Sequence, residues 1–302
     1  MPQAQYPRSW LGNVLSGLAV ASGIGYLATS YTVSVWLTKS WHRKPIQLPE
    51  SLGLVGEPAS CITGDGLRLA GWVFSPASTQ RPKATIAFFH GVRHNRGTML
   101  TRIEFMLRAG YRCVAFDHRA HGESQGRKTT FGFYESRDVA AVLNFIRQRW
   151  PGEPCVAHGI SMGAAAICFA GKCVGGPDAV ILESLYHDIG NAFRSRLTHG
   201  YPPWFRRFGP GIIWLTERRT GMRLPQVVPA DHIGNLAPSP ILLMTGTEDR
   251  HASPHEARRL YERCGDPREL WIVPGATHYD LYEVGGEVYR QNVLDFLRRR
   301  VA

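Results

Sequence analysis

A serine, an aspartate and a histidine are set along this chain in an order that can make an activated nucleophile. Ser161 stands in Gly159-Ile160-Ser161-Met162-Gly163, a G-x-S-x-G pattern. A hydroxyl is a poor nucleophile until a base takes its proton, and the base must be held in one tautomer by an acceptor behind it. Downstream, Asp249 ends Thr245-Gly246-Thr247-Glu248-Asp249, and His278 ends Gly275-Ala276-Thr277-His278. Two other carboxylates compete for the acid's part: Glu248 beside Asp249, and Glu183 at the end of the apolar run Ala179 to Leu182. Acyl transfer at such a serine builds an oxyanion that needs two fixed N–H donors. The amide of Met162 directly follows the serine, and the amide of Val92 in His90-Gly91-Val92 is the second candidate. The chemistry asks for no metal and no cofactor. His90, His94, Asp117, His118 and His121 lie near one another in sequence, but their spacing matches no common zinc pattern, so no metal site is expected.

These side chains act together only if the backbone delivers them to one edge of a sheet. Short apolar runs at 84–89, 113–116, 155–157, 179–182, 241–244 and 270–273 read as buried strands. Between and after them, 99–108, 133–149, 162–172, 254–264 and 287–300 carry apolar residues three and four apart, the helical period. Strand and helix in alternation predict an α/β fold, a mainly parallel sheet with helices on both faces. Ser161, Asp249 and His278 each follow a predicted strand. Upstream, Asp65-Gly66 is a turn signal, and the alternation from Leu67 to Val73 predicts an antiparallel hairpin strand. One segment, 187–235, is too long for a single crossover and is broken by five prolines, which predicts an inserted helical cap. The bland reading of the serine motif is a glycine-rich turn; a strand before it and a helix after it favour the nucleophile.

From about Cys61 onward the chain resembles the α/β-hydrolase superfamily, in particular its serine-aminopeptidase-like and prolyl-oligopeptidase-like groups and the small membrane-anchored hydrolases related to them. The resemblance rests on Thr63-Gly64-Asp65-Gly66-Leu67, His90-Gly91 with Asn95-Arg96, Phe116-Asp117-His118-Arg119-Ala120-His121-Gly122-Glu123-Ser124, and the three segments that carry Ser161, Asp249 and His278. It implies nucleophile, acid and base in that order, with Val92 and Met162 as the oxyanion donors. Such proteins commonly carry glycine where this chain has Ala120, so a positive φ there would strain the alanine.

The sequence has 302 residues, 44% of them hydrophobic and 20% charged, with a net charge of +11. Zinc-finger spacing and aromatic ribonucleoprotein signatures are lacking, so the positive charge points to a membrane and not to nucleic acid. Leu11 to Leu37 holds no charged side chain, with Arg8 before it and Lys39, Arg43 and Lys44 after it. That is long enough to cross a bilayer, and the basic residues after it predict a catalytic part on the cytoplasmic side. Trp10, Trp36 and Trp41 stand near its ends, where aromatic rings settle at headgroups. A cleavable signal peptide is the rival, with Ala19-Val20-Ala21 as its cleavage site. The expected organisation is an anchor over 1–44, a linker over 45–60 and a hydrolase domain over 61–302; removal of the anchor is expected to free a soluble domain. Six cysteines without framework spacing suit a reducing compartment. Within 191–223 the cap carries seven arginines against one acid, Glu217, interleaved with aromatics. Such a surface suits anionic headgroups, or equally a cap whose aromatics face the core. The expected function is hydrolysis of an acyl ester or thioester in a small acyl or lipid-like substrate, with a peptidase or amidase as runner-up. A tethered, non-catalytic binding domain is the alternative from another class.

Overall fold

The computed structural model describes residues 8–77, 81–171 and 176–301, without the side chains of 8–14 and 196–199. Lys172 and Cys173, and the side chains of Arg8, Trp10 and Arg196, therefore lie outside the described residues.

Eight strands form one sheet in the order β1-β2-β4-β3-β5-β6-β7-β8. They are β1 Glu57–Ile62, β2 Arg68–Phe74, β3 Thr85–Phe89, β4 Arg112–Phe116, β5 Cys155–Ile160, β6 Ala179–Glu183, β7 Ile241–Gly246 and β8 Arg268–Val273. β2 runs antiparallel to both β1 and β4; every other pairing is parallel. Side chains alternate across the sheet. Ala87 and Phe89 of β3 enter a core with α3 (Ser136–Arg149), α4 (Met162–Ala170) and α7 (Pro254–Arg263). Ile86 and Phe88 enter the opposite core, with α2 (Leu100–Arg108) and α8 (Leu281–Arg300). The α/β architecture expected from the sequence is the one observed.

Two boundaries differ from expectation. β1 begins at Glu57, inside the 45–60 stretch expected as a linker, though 45–58 read equally as an edge segment, and it pairs Pro58 with Trp72. An edge strand tolerates proline, and its largely exposed side chains hide the period. The last helix starts at Leu281, six residues before the periodic stretch, because Gly286 at φ 51° turns the chain out of helical geometry between two apolar faces.

A 31-residue helix, α1 (Arg8–Thr38), precedes the sheet. It contains a span, Leu15–Thr38, long and apolar enough to cross a membrane, and only 11% of its apolar window is buried. Its last turns are not free of the domain. They pack along α6 (Gly209–Thr220) of the cap, which also contains α5 (Ile189–Gly200). The chain beyond α1 then ties into the loop after β4: the Trp41 amide donates to the Ala120 carbonyl at 2.6 Å and the Gly122 amide to the Trp41 carbonyl at 3.1 Å. The described cysteines, Cys61, Cys113, Cys155, Cys168 and Cys264, are all free thiols.

Candidate active site

β5 ends at Ile160 and α4 begins at Met162, so Ser161 is the whole of the turn between them. Its backbone sits at φ 52°, ψ −107°, a conformation that costs a non-glycine residue about 1–3 kcal/mol. The flanking glycines make the turn possible. A Cβ on Gly163 would lie 2.2 Å from the Phe89 carbonyl oxygen, and one on Gly159 would lie 2.6 Å from the Ala164 nitrogen. The Ser161 amide donates to the Glu183 carbonyl at 2.8 Å, pinning the turn to β6.

His278, in the loop after β8, places Nε2 3.0 Å from Ser161 Oγ. Its Nδ1 lies 2.8 Å from Oδ2 of Asp249, in the loop after β7. The other oxygen of Asp249 accepts from the amides of His251 and Ala252, both at 2.8 Å. Burial alone would raise the pKa of this carboxyl, but the His278 hydrogen bond and charge, with the two amides, hold it below the usual carboxylate range. It is thus an ionised acceptor able to fix Nδ1 as the protonated nitrogen, leaving Nε2 to face the serine.

The competing carboxylates are elsewhere. Glu248 is exposed. Glu183 is buried on the α2/α8 side of the sheet, where Arg102 donates from Nε at 3.0 Å and from Nη2 at 2.8 Å. His158 Nε2 and Tyr289 Oη each lie 2.5 Å from its Oε1. Burial pushes Glu183 upward; the Arg102 charge and the His158 hydrogen bond outweigh that and keep it well below its ordinary value. The Glu183 carboxylate is thus committed to three partners on that side.

The loops beside Ser161 are held by the other motifs. Asn95 accepts from the Gly97 amide, and Arg96 reaches both Asp117 and Glu123 while stacking 4.2 Å over Trp72. Gly122 allows the close turn, since a Cβ there would fall 2.0 Å from Asp117 Oδ2. Ala120 has φ 62° and is fully buried, so the position is indeed a left-handed one occupied by alanine. Two histidines of this region serve the backbone: His90 Nε2 accepts the His118 amide at 3.0 Å, and His121 Nε2 accepts the Arg93 amide at 3.2 Å.

Two hollows meet at Ser161. One, about 800 Å³ with its open mouth included, lies under the cap; Val92, Met162 and His278 border it, and its walls include Leu37, Phe131, Phe193, Ile212 and Leu224. Among the described residues, none of those lining it is Asp, Glu, Lys or Arg. The other is the more polar of the two, bordered by Arg93, His94, Arg102, Tyr279 and Glu283, and it too reaches Val92 and His278. Ser161, Asp249 and His278 are therefore brought together, with Val92 and Met162 beside them. The sequence reading did not find Leu37, which comes from the expected anchor. The signal was present, because Tyr26, Ser30, Ser34 and Thr38 recur every fourth residue along an otherwise apolar helix, marking a face that packs.

The chain is similar to several known proteins. A family model described as serine aminopeptidase, S33, matches residues 80–228. The uncharacterised protein YqkD of Bacillus subtilis is 30% identical over 237 residues, covering 77% of this chain and 76% of YqkD. The α/β hydrolase domain-containing protein WAV2 of Arabidopsis thaliana is 27% identical over 95% of this chain and 92% of its own length. Among solved structures, the Pyrococcus furiosus esterase Pf2001 shares the fold with a TM-score of 0.71 at 23% identity, over 86% of this chain and 98% of that one. By fold, by serine turn and by kinship, the chain belongs to the α/β-hydrolase superfamily, among its serine-aminopeptidase-like members.

Proposed function

We propose that the protein is a membrane-anchored serine hydrolase that cleaves acyl esters or thioesters through an acyl-enzyme. The observation that carries the reading is the relay from Ser161 Oγ to His278 Nε2 at 3.0 Å and from His278 Nδ1 to Asp249 at 2.8 Å. Ser161 attacks the acyl carbon as His278 takes its proton. The amides of Val92 and Met162 face the oxyanion, and the tetrahedral adduct collapses as His278 returns the proton to the leaving group. Water, deprotonated by the same histidine, then releases the acid. An acyl side without charge among its described lining residues supports an apolar acyl group, and the more polar hollow suits the leaving group.

α1 supplies the anchor. Leu15, Leu18, Val20, Ile24 and Leu27 are exposed along it, which suits lipid, and Lys39, Arg43 and Lys44 favour a cytoplasmic domain. Beside the middle of α1, where Phe208 stacks on Tyr26 at 5.3 Å, the cap exposes Trp204 and Trp214 with Arg206, Arg207 and Arg218, a surface suited to headgroups.

A peptidase reading has one observation in its favour, Glu283 at the rim of the polar hollow, where it would meet a substrate amine. The test is labelling of the full chain with a fluorophosphonate probe, with turnover of ester, thioester and aminoacyl amide substrates. Labelling lost in both Ser161→Ala and His278→Ala, with esters or thioesters turned over, is expected. Preference for aminoacyl amides would favour the peptidase, and no labelling of a folded protein would favour a binding domain.

A further inference from the structure

The acyl hollow is not closed by the α/β domain and its cap alone. Leu37, on the last turn of α1, forms part of its wall together with Ser161, and Ile212, Ile213 and Thr216 of α6 line it as well. α1 and α6 are fastened to each other by polar groups. The Gly211 amide donates to Tyr26 Oη at 3.0 Å, Thr216 Oγ1 donates to Ser34 Oγ at 3.2 Å, and Arg219 Nη1 donates to Thr38 Oγ1 at 2.8 Å. Ser30, Ser34 and Thr38 are fully buried in this joint. The hydroxyl of Thr216 is thereby satisfied by α1, and Tyr186 donates its own to the Phe131 carbonyl, so these two lining groups are already paired. α1 also reaches the other side of the serine: the Arg93 guanidinium, next to Val92, lies 3.6 Å over the Trp36 ring.

A helix that merely tethered a domain would have no side chain in the wall beside the nucleophile.

We propose that α1 is one wall of the substrate site, that the hollow takes a long aliphatic acyl chain, and that Leu37 limits the length it accepts. The inference rests on the serine-hydrolase reading for its turnover test, and a binding test stands apart from catalysis. A wall whose described residues carry no Asp, Glu, Lys or Arg gains from each methylene it covers, roughly fourfold per group, up to the point where the wall ends.

The experiment uses the full chain in phosphatidylcholine vesicles. Turnover is measured for p-nitrophenyl esters from butyrate to palmitate carried in the vesicles, and for palmitoyl-coenzyme A in the water phase, which separates a bilayer source from a soluble one. Leu37→Trp is expected to lower the palmitate-to-butyrate ratio of kcat/KM at least tenfold, and Leu37→Ala to shift the preferred length upward. Leu27→Ala, on the exposed flank, is expected to leave the ratio where it was. Independently, palmitate binding is measured on Ser161→Ala protein, and adding Leu37→Trp is expected to weaken it about tenfold or more. An unchanged ratio in both Leu37 variants, or palmitate binding indifferent to Leu37→Trp, overturns the proposal. Palmitate binding that depends on Leu37 in a protein without fluorophosphonate labelling would sink the hydrolase reading and leave the acyl site standing.

Discussion

Gly211 and Tyr26 touch backbone to side chain: the amide of the one donates to the hydroxyl of the other at 3.0 Å, and a Cβ at Gly211 would lie 2.6 Å from Ser30 Oγ and 2.8 Å from the tyrosine ring. The joint between α1 and the cap therefore has room for glycine and nothing larger. Gly211→Val should force the helices apart, at about 1–3 kcal/mol for overpacking. Thermal unfolding in detergent should show a lower midpoint, and limited proteolysis should cut between Thr38 and Gly53 sooner than in the parent. An unchanged midpoint and digest would mean that α1 does not hold the cap.

The same joint bears on truncation. The sequence reading expects that removing residues 1–44 frees a soluble domain. In the structure that cut removes Leu37 from the cavity wall, strips Ser34 from Thr216 and Thr38 from Arg219, and takes Trp41 from Ala120 and Gly122. The truncated chain should be less stable and should bind small fluorophosphonates more weakly than the full chain. Equal thermal midpoints and equal labelling rates would restore the picture of a detachable tether.

Asp249→Asn separates orientation from charge. In the proposed mechanism the carboxylate fixes the tautomer of His278 and balances the imidazolium that forms as Ser161 attacks. An amide can present its NH₂ to Nδ1 and select the wrong tautomer, so kcat should fall by about 10⁴. Folding should survive, because Asn can still accept the His251 and Ala252 amides at Oδ1. A loss below tenfold in the folded variant would mean that another acid serves His278.

Glu183→Gln tests the rival carboxylate. Removing its charge leaves Arg102 buried without a counter-charge, and breaking such a pair typically costs about 3–5 kcal/mol. Denaturant unfolding should show that loss. The fraction that remains folded should label at Ser161 at close to the parent rate, since the Ser161 amide is held by the Glu183 main-chain carbonyl and not by the side chain. A stable variant with labelling abolished would reassign the acid.

How much of this was legible follows from the range of each constraint. Ser161 could be read because its turn is local: glycine two residues before and two after, an apolar strand ahead and a helix behind. Asp249 and His278 could be read because each follows a strand whose burial leaves a plain apolar run. Chain order already favoured Asp249 over Glu183; what only the fold shows is that Arg102 occupies the Glu183 carboxylate. β1 was obscured by Pro58 and an exposed face. α1 was legible as an apolar span but not as a wall, because apolarity explains both lipid contact and core contact; the four-residue recurrence of hydroxyls was the trace of the second.

Acid should destabilise the protein through its buried histidines. His90, His121 and His158 are buried, and burial lowers the pKa of each, His121 to about 4. Between that folded value and the ordinary histidine value near 6.5, the unfolded chain binds the extra proton. Stability is therefore complete above about pH 6.5 and declines below it, by about 1.4 kcal/mol per pH unit for each histidine still neutral when folded. Asp117 and Glu256 pull the other way, since burial raises both and the folded state takes up their protons first. Three histidines titrate from the higher starting point, so they set the sign between pH 6.5 and 5. Glu183 and Asp249, both held low, add a further loss below about pH 4. Thermal midpoints measured from pH 8 to 5 in detergent should fall monotonically below pH 6.5, and His121→Gln should flatten the slope. A midpoint that rises on acidification would show that these rings accept protons more easily in the folded protein than in the unfolded chain.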